Sequence, residues 1–280
     1  MAKKHGNHRN HRRRPLKIFV ITDLEGAAMV FTFGQTRDNA RPHPAVEEAM
    51  RILTREVNAC VDGILDADPK ADVLVLDGHG SGGILYELVH DGARYARGVP
   101  HPWGLDETYD ALFFVGQHAM AGTPEAPLAH TFSSKTIEYH KLNGSPVGEF
   151  GTHAYMAGTR FDVPVAFLSG DDKAVLEARA LVPNIVGVAT KQGTGPEGAV
   201  SLSPAEARRR IRAGAKEACQ RVSKRAIDPL RLEPPYEWEV RYLEGHEARL
   251  EGFLRRPGTQ RIDSRTAVLR GADVLDVFGP

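Results

Sequence analysis

The chain has 280 residues, with 36 Lys+Arg balancing 36 Asp+Glu, 41% hydrophobic and 26% charged residues. Those values exclude a wholly disordered chain, and no apolar run approaches the ~20 residues that cross a bilayer. The two cysteines, Cys60 and Cys219, exclude a disulfide scaffold and a multi-Cys zinc ribbon; they suit a reducing cytoplasm, the expected location.

Residues 1–15, MAKKHGNHRNHRRRP, hold six Lys/Arg and three His and no acid, which leaves the rest at a net charge of −6. This segment is expected to be a disordered, solvated basic tail. The other readings are an arm touching phosphate or nucleic acid, or weak metal binding through His5, His8 and His11. The apolar run that follows is short and meets Asp23 and Glu25 at once, so no signal peptide is expected.

Leu16–Thr22 is apolar and β-branched and predicts a buried strand. Ala27–Pro44 reads as a loop. Ala45–Leu65 places Val46, Met50, Leu53, Val57, Val61 and Ile64 at helical spacing. Asp72–Asp77 predicts a second strand, broken by Gly78–Gly83, with a short helix at Ile84–Val89. Ala111–Gly116 is a third strand. Ser134–Lys141 and Pro146–Glu149 flank Asn143-Gly144, the signature of a hairpin turn. A helix follows at Thr152–Gly158, then a strand at Val163–Leu168, a helix at Asp171–Leu181 and a strand at Val186–Thr190. Ser203-Pro204-Ala205-Glu206 opens a helix to about Lys224, with a cap, a first-position proline and a capping box. Pro229–Pro235 reads as a linker. Glu237–Leu243 and Thr266–Leu269 read as strands, and Ala272–Val277 as a short helix.

Strand–helix alternation predicts an α/β fold with a mixed, mostly parallel sheet flanked by helices. Residues 16–200 form the expected metal-binding catalytic domain, and residues 201–280 a smaller C-terminal α+β lobe.

Sites in open α/β sheets lie beyond the carboxyl ends of the strands. There the sequence sets Asp23 and Glu25, then His79, then His118, then Asp171 and Asp172, with His130 before the hairpin and Glu149 after it. Singly, each has a structural explanation: a histidine after a strand is commonly just hydrogen-bonded, and Asp171 and Asp172 look like helix caps. Together, carboxylates and imidazoles at successive strand ends make a ligand set for Zn²⁺ or its neighbours. Three carboxylates crowd three negative charges, which two divalent ions would offset. Asp23 and Glu25, two residues apart, would share a face on a regular strand, where one could bridge two ions. The glycine-rich Gly78–Gly83 lacks the Lys-Ser/Thr of a phosphate loop. Cys60 lies in the amphipathic helix and is expected to pack, not react.

In these motifs the sequence resembles the M55 family of metallopeptidases, whose founding member is a bacterial D-aminopeptidase. The carrying segments are Thr22–Gly26, Asp77-Gly78-His79, Val115–Ala119, Ala129-His130-Thr131, Pro146–Glu149 and Ser169–Asp172, in the family's order, from about Lys17 to about Ser223. The resemblance implies two zinc ions per chain held by Asp23, Glu25, His79, His118 and Glu149, with Asp23 as the bridge. It implies that His130 is catalytic, near the metals but not bound to them. It further implies hydrolysis of N-terminal residues, often D-amino acids, from short peptides or aminoacyl amides. The implied assembly is a homo-oligomer, the family's founding member being a ring-stacked homodecamer. No membrane or nucleic-acid partner is expected. The loop Gly80–Gly83 lacks an Asn expected there, Ala27–Pro44 matches poorly and the basic tail is extra, so a preference for D residues stays open. Asp171 or Asp172 is a candidate for holding the substrate amine. The alternatives are a dinuclear amidase or phosphoesterase, or a non-catalytic metal- or nucleic-acid-binding protein.

Overall fold

A computed structural model describes residues 14–36 and 43–278. Seven strands form the first sheet: β1 (Lys17–Thr22), β2 (Asp72–Asp77), β3 (Arg94–Ala96), β4 (Ala111–Gln117), β7 (Val165–Asp171), β8 (Val186–Gly195) and β9 (Gly198–Ser201). Their order is β3-β2-β1-β4-β7-β8-β9. All neighbours are parallel except β8 and β9, which pair antiparallel. β4 and β7 are buried along their whole length, as expected for strands covered on both faces.

Two helix pairs provide that cover. α1 (Pro44–Ala67) packs on α4 (Pro204–Ser223), and α2 (Glu149–Phe161) on α3 (Asp172–Leu181). Phe113 and Phe114 are consecutive in β4 and so face opposite ways. Phe113 packs on Phe167, which lies under Gly214 of α4, whereas Phe114 packs on Phe150 of α2. The two pairs therefore occupy opposite faces.

The helix starts follow the sequence closely. Ser203 Oγ accepts from Glu206 N at 3.3 Å and Pro204 takes the first helical position. The Glu206 carboxylate pairs with Arg209 and Arg210 instead of closing the capping box. Asp171 caps α3 by accepting from Lys173 N and Ala174 N.

The second sheet includes the hairpin. The hairpin β5 (Ile137–Leu142) and β6 (Ser145–Pro146) turns through Asn143 and Gly144, both at positive φ. It does not join the parallel sheet. Instead it pairs with β10 (Tyr236–Tyr242), next to β12 (Thr266–Gly271) and β11 (Thr259–Arg261), in an all-antiparallel sheet ordered β11-β12-β10-β5-β6. This sheet draws strands from both sides of Ser201, while α4 packs on the first sheet. α5 (Glu247–Phe253) and α6 (Val274–Phe278) lie against it.

Strands β3, β9 and β11 and helix α5 were not anticipated; the strands are short edge segments with mostly exposed or half-buried residues. The short helix expected at 84–89 is a single 3-10 turn, Tyr86–Leu88. Of the basic segment, Arg14 is clasped by the Asp110 carboxylate at 2.8 and 3.0 Å. Residues 1–13, with the expectations attached to them, lie outside the described residues. No helix of the described residues is long and apolar enough to cross a membrane.

Candidate metal centre

The parallel strands β2, β1 and β4 deliver their following residues to one edge of the sheet. β1 ends at Thr22, so Asp23 and Glu25 stand on a tight turn and not on a strand. The turn is pinned to β4 by Asp23 N donating to Val115 O and Gly26 N to Gly116 O, at 2.9 and 2.7 Å. Gly116 has φ +83, and a Cβ there would sit 2.0 Å from Asp23 O. Only glycine permits that approach.

Asp77 shapes the loop that carries His79. Its carboxylate accepts from Gly83 N at 2.8 Å, Arg97 at 2.8 Å and Tyr86 Oη at 3.1 Å. Glu149 is the first residue of α2, and its Oε1 accepts from Phe132 N at 2.6 Å.

The six sequence-predicted residues form two groups. Asp23, Glu25 and His79 make one, and His118, His130 and Glu149 the other; within each, the donor atoms lie within 4.8 Å of one another. The groups touch, since His118 Nε2 is 3.2 Å from Asp23 and 3.3 Å from Glu149. His79 Nε2 is 3.4 Å from Glu25. His130, expected outside the ligand set, stands within the second group, its Nε2 3.8 Å from Glu149 Oε1.

The imidazoles share one orientation. Nδ1 of His79 donates to Gly82 O, that of His118 to Ala119 O and that of His130 to Leu128 O, at 3.2, 2.9 and 2.8 Å. A backbone acceptor at Nδ1 turns the lone pair of Nε2 toward the site, as in metal-bound histidines. An imidazole lone pair aimed at a carboxylate is repulsive unless a cation or a proton lies between them. His118 Nε2 and Glu25 Oε2 are also buried with no hydrogen-bond partner. These residues fit divalent cations.

Without metal, protons must take that place. Burial opposes the charge on His79, yet Glu25 raises it to about 9. His118 is likewise raised against its burial, by Glu149 and Asp23. Asp23 is pushed up to about 6 by burial and by Glu25. Glu149, despite burial, is drawn down to about 2 by His118. His130 moves the other way: burial and then His118 lower its pKa, favouring the neutral ring.

Some contributors were not anticipated. Lys191 in β8 is buried, and its Nζ donates to the carbonyls of Glu25, Ala27 and Val30, tying down the turn after β1. Thr190 Oγ1 supports the same turn through Gly26 O at 2.7 Å. A lone lysine in a strand that enters the sheet interior was the available signal. Asp171 and Asp172 are not free to hold a substrate amine. Asp171 is buried, caps α3 and accepts from Ala119 N; Asp172 accepts from Gly193 N and pairs with Lys173.

This α/β fold, with a donor-lined cleft at the carboxyl edge of its parallel strands, defines a metal-dependent hydrolase. A family model described as D-aminopeptidase, peptidase family M55, matches residues 16–279, and the chain belongs to that family. It is a metallo-aminopeptidase. A D-aminopeptidase of Bacillus subtilis (strain 168) is 29% identical over 269 residues, covering 94% of each chain. The solved structure of the Zn-dependent D-aminopeptidase DppA from Bacillus subtilis, described as a self-compartmentalizing protease, superposes with a TM-score of 0.84 at 28% identity, again covering 94% of each chain.

Proposed function

We propose that the chain holds two zinc ions and removes N-terminal residues, D-amino acids among them, from short peptides or aminoacyl amides. The observation that carries this reading is the contact between the two donor groups: Asp23 lies with Glu25 and His79 yet reaches His118 at 3.2 Å. A carboxylate so placed suits a bridge between two ions, with Glu25 and His79 on one side and His118 and Glu149 on the other. Zinc is supported by the mixed imidazole and carboxylate donors, and by the Zn-dependent relative DppA. When bound, the metal polarises the scissile carbonyl and lowers the pKa of the attacking water.

The chain's own groups handle the proton. His130 keeps its Nδ1 proton on Leu128 O at 2.8 Å, so Nε2 is the basic atom. Its lowered pKa keeps that atom unprotonated near neutral pH. Nε2 accepts a proton from water and returns it to the leaving amine. Glu149 stays ionised beside it, and the Leu128 carbonyl orients the ring. The turn fixed by Lys191 and Gly116 holds Asp23 and Glu25 in place, so the donors need little reorganisation.

The self-compartmentalizing description of DppA supports a closed homo-oligomer for this chain, with a decamer as the specific proposal. The cytoplasm is its proposed location, in keeping with two buried, unpaired cysteines.

The test is a screen of zinc-loaded protein against matched D- and L-aminoacyl amides and dipeptides, with metal content measured in parallel. Hydrolysis of N-terminal D residues at two equivalents of zinc is expected. One equivalent at saturation rejects the dinuclear site, and inertness toward every peptide rejects the substrate class.

A further inference from the structure

Beside the metal cleft lies a second space, a cavity of about 610 Å³ between α2 and the antiparallel sheet. Its walls are largely aromatic and include Trp103, Phe132, His140, Trp238 and Phe253. The rings pack edge-on: His140 and Trp238 are 4.9 Å apart at 87°, and Trp238 and Phe253 are 6.0 Å apart at 89°. Such a volume and lining match pockets that enclose small organic ligands.

Three polar atoms behind these walls are unpaired. Both ring nitrogens of His140 and the indole Nε1 of Trp238 are buried and make no hydrogen bond. His140 is 4% exposed and Trp238 9%. A neutral imidazole offers one donor and one acceptor, and an indole offers one donor. Buried polar groups are nearly always paired, but these atoms have almost no accessible surface, so they lie behind the aromatic faces and offer no contact inside the cavity.

The charge is one-sided. Arg249 and Arg256 line the cavity, and no Asp or Glu does among the described residues. Arg256 lies over the rings of Trp238 and Phe253, at 6.0 and 5.5 Å. It donates to Asp276 O at 3.1 Å and pairs with no carboxylate among the described residues. An arginine so placed suits a carboxylate from outside the chain.

Cavity and metal cleft share a wall. The Phe132 ring faces the cavity, while its N–H holds Glu149 at 2.6 Å; Phe132 and Ser133 line both spaces. We infer that this cavity receives the residue on the leaving side of the scissile bond, an apolar or aromatic amino acid whose free carboxylate reaches Arg256. The inference rests on the peptidase reading and extends it to substrate class: short peptides whose second residue is bulky, apolar and C-terminal.

Trp103 and Trp238 are the chain's two tryptophans and both line the cavity, so intrinsic fluorescence reports on it directly. Metal-free protein titrated with N-acetylphenylalanine, as each enantiomer, should show a saturable change in emission. N-acetylphenylalaninamide should bind about tenfold more weakly, the worth of a charge-assisted hydrogen bond. Arg256→Met should abolish that difference, and Arg256→Lys should restore part of it. In zinc-loaded protein, Arg256→Met should raise KM for a dipeptide ending in phenylalanine about tenfold relative to KM for its amide. No saturable change, or equal binding of acid and amide by the unaltered protein, overturns the subsite. Binding that persists in a protein unable to cleave any peptide overturns the peptidase reading and leaves the cavity's ligand class standing. Peptide cleavage with KM values untouched by Arg256→Met overturns the subsite and leaves the peptidase reading intact.

Discussion

His118 and His130 stack face to face, ring centroids 3.9 Å apart and planes 14° from parallel. Both point Nε2 at Glu149, at 3.3 and 3.8 Å. A charge on one ring opposes a charge on the other. His118 is the ring that takes the positive charge when no metal is present, and its charge is one reason His130 stays neutral.

His130→Ala should therefore leave the metals bound and slow hydrolysis by about 10²–10⁴-fold, the usual contribution of a general acid/base. Zinc content and kcat of the variant measure the two halves separately. Loss of one zinc would make His130 a ligand, which its place in the second donor group allows.

Metal uptake near neutral pH should release protons. Zinc takes a neutral imidazole, yet in the metal-free protein His79 titrates at about 9 and His118 well above its usual value. Calorimetry in two buffers of different ionisation enthalpy counts the protons, and the number should fall as pH rises through about 9. The stability of the metal-free protein carries the matching sign. The folded pKa of His79 lies above its ordinary 6.5, so its pairing with Glu25 stabilises fully below 6.5 and is lost as pH rises through about 9. A proton count of zero near pH 7 would contradict this charge state.

Lys191→Met should loosen the metal site from a distance. The substitution keeps most of the volume but strips the ammonium from the carbonyls of Glu25, Ala27 and Val30. Buried acceptors left unpaired cost about 1–3 kcal/mol each. Urea unfolding should show a loss at the upper end of that range, and zinc should dissociate faster. Unchanged stability and metal retention would mean that the turn holds itself.

Light scattering should find a homo-oligomer, both for the full chain and for a chain starting at Pro15. Residues 1–14 hold six Lys/Arg and no apolar run with which to build an interface, so the assembly should not depend on them. A monomer in both cases rejects the proposed assembly, and dissociation only on truncation gives the segment a role in it.

The sequence was most informative where burial is two-sided. Runs such as Phe19–Ile21 and Leu112–Val115 are fully or nearly fully enclosed, and a continuous apolar run declares itself without knowledge of its partners. The same logic exposed Asp23, Glu25, His79 and His118, because polar residues directly after such runs fall on one sheet edge. Glu149 and His130 were read from their places on either side of the hairpin, although helix α2 and a loop, not strand ends, bring them in. The hairpin at Asn143-Gly144 was readable locally, but its sheet was not. His140 opposes Val240 in the register, and nothing near His140 names that distant partner. Nor does a lone lysine at 191 say which carbonyls it will meet.

That distant pairing has a consequence for the order in which the chain takes shape during synthesis. All residues of the metal centre precede Pro164, and the parallel sheet is complete by Ser201. Trp238 and Arg256, which close the aromatic cavity, come later. Domains assemble from the N-terminus as they emerge, and contacts distant in sequence form late. A nascent chain thus carries every candidate metal ligand before the residues that close the aromatic cavity have been made.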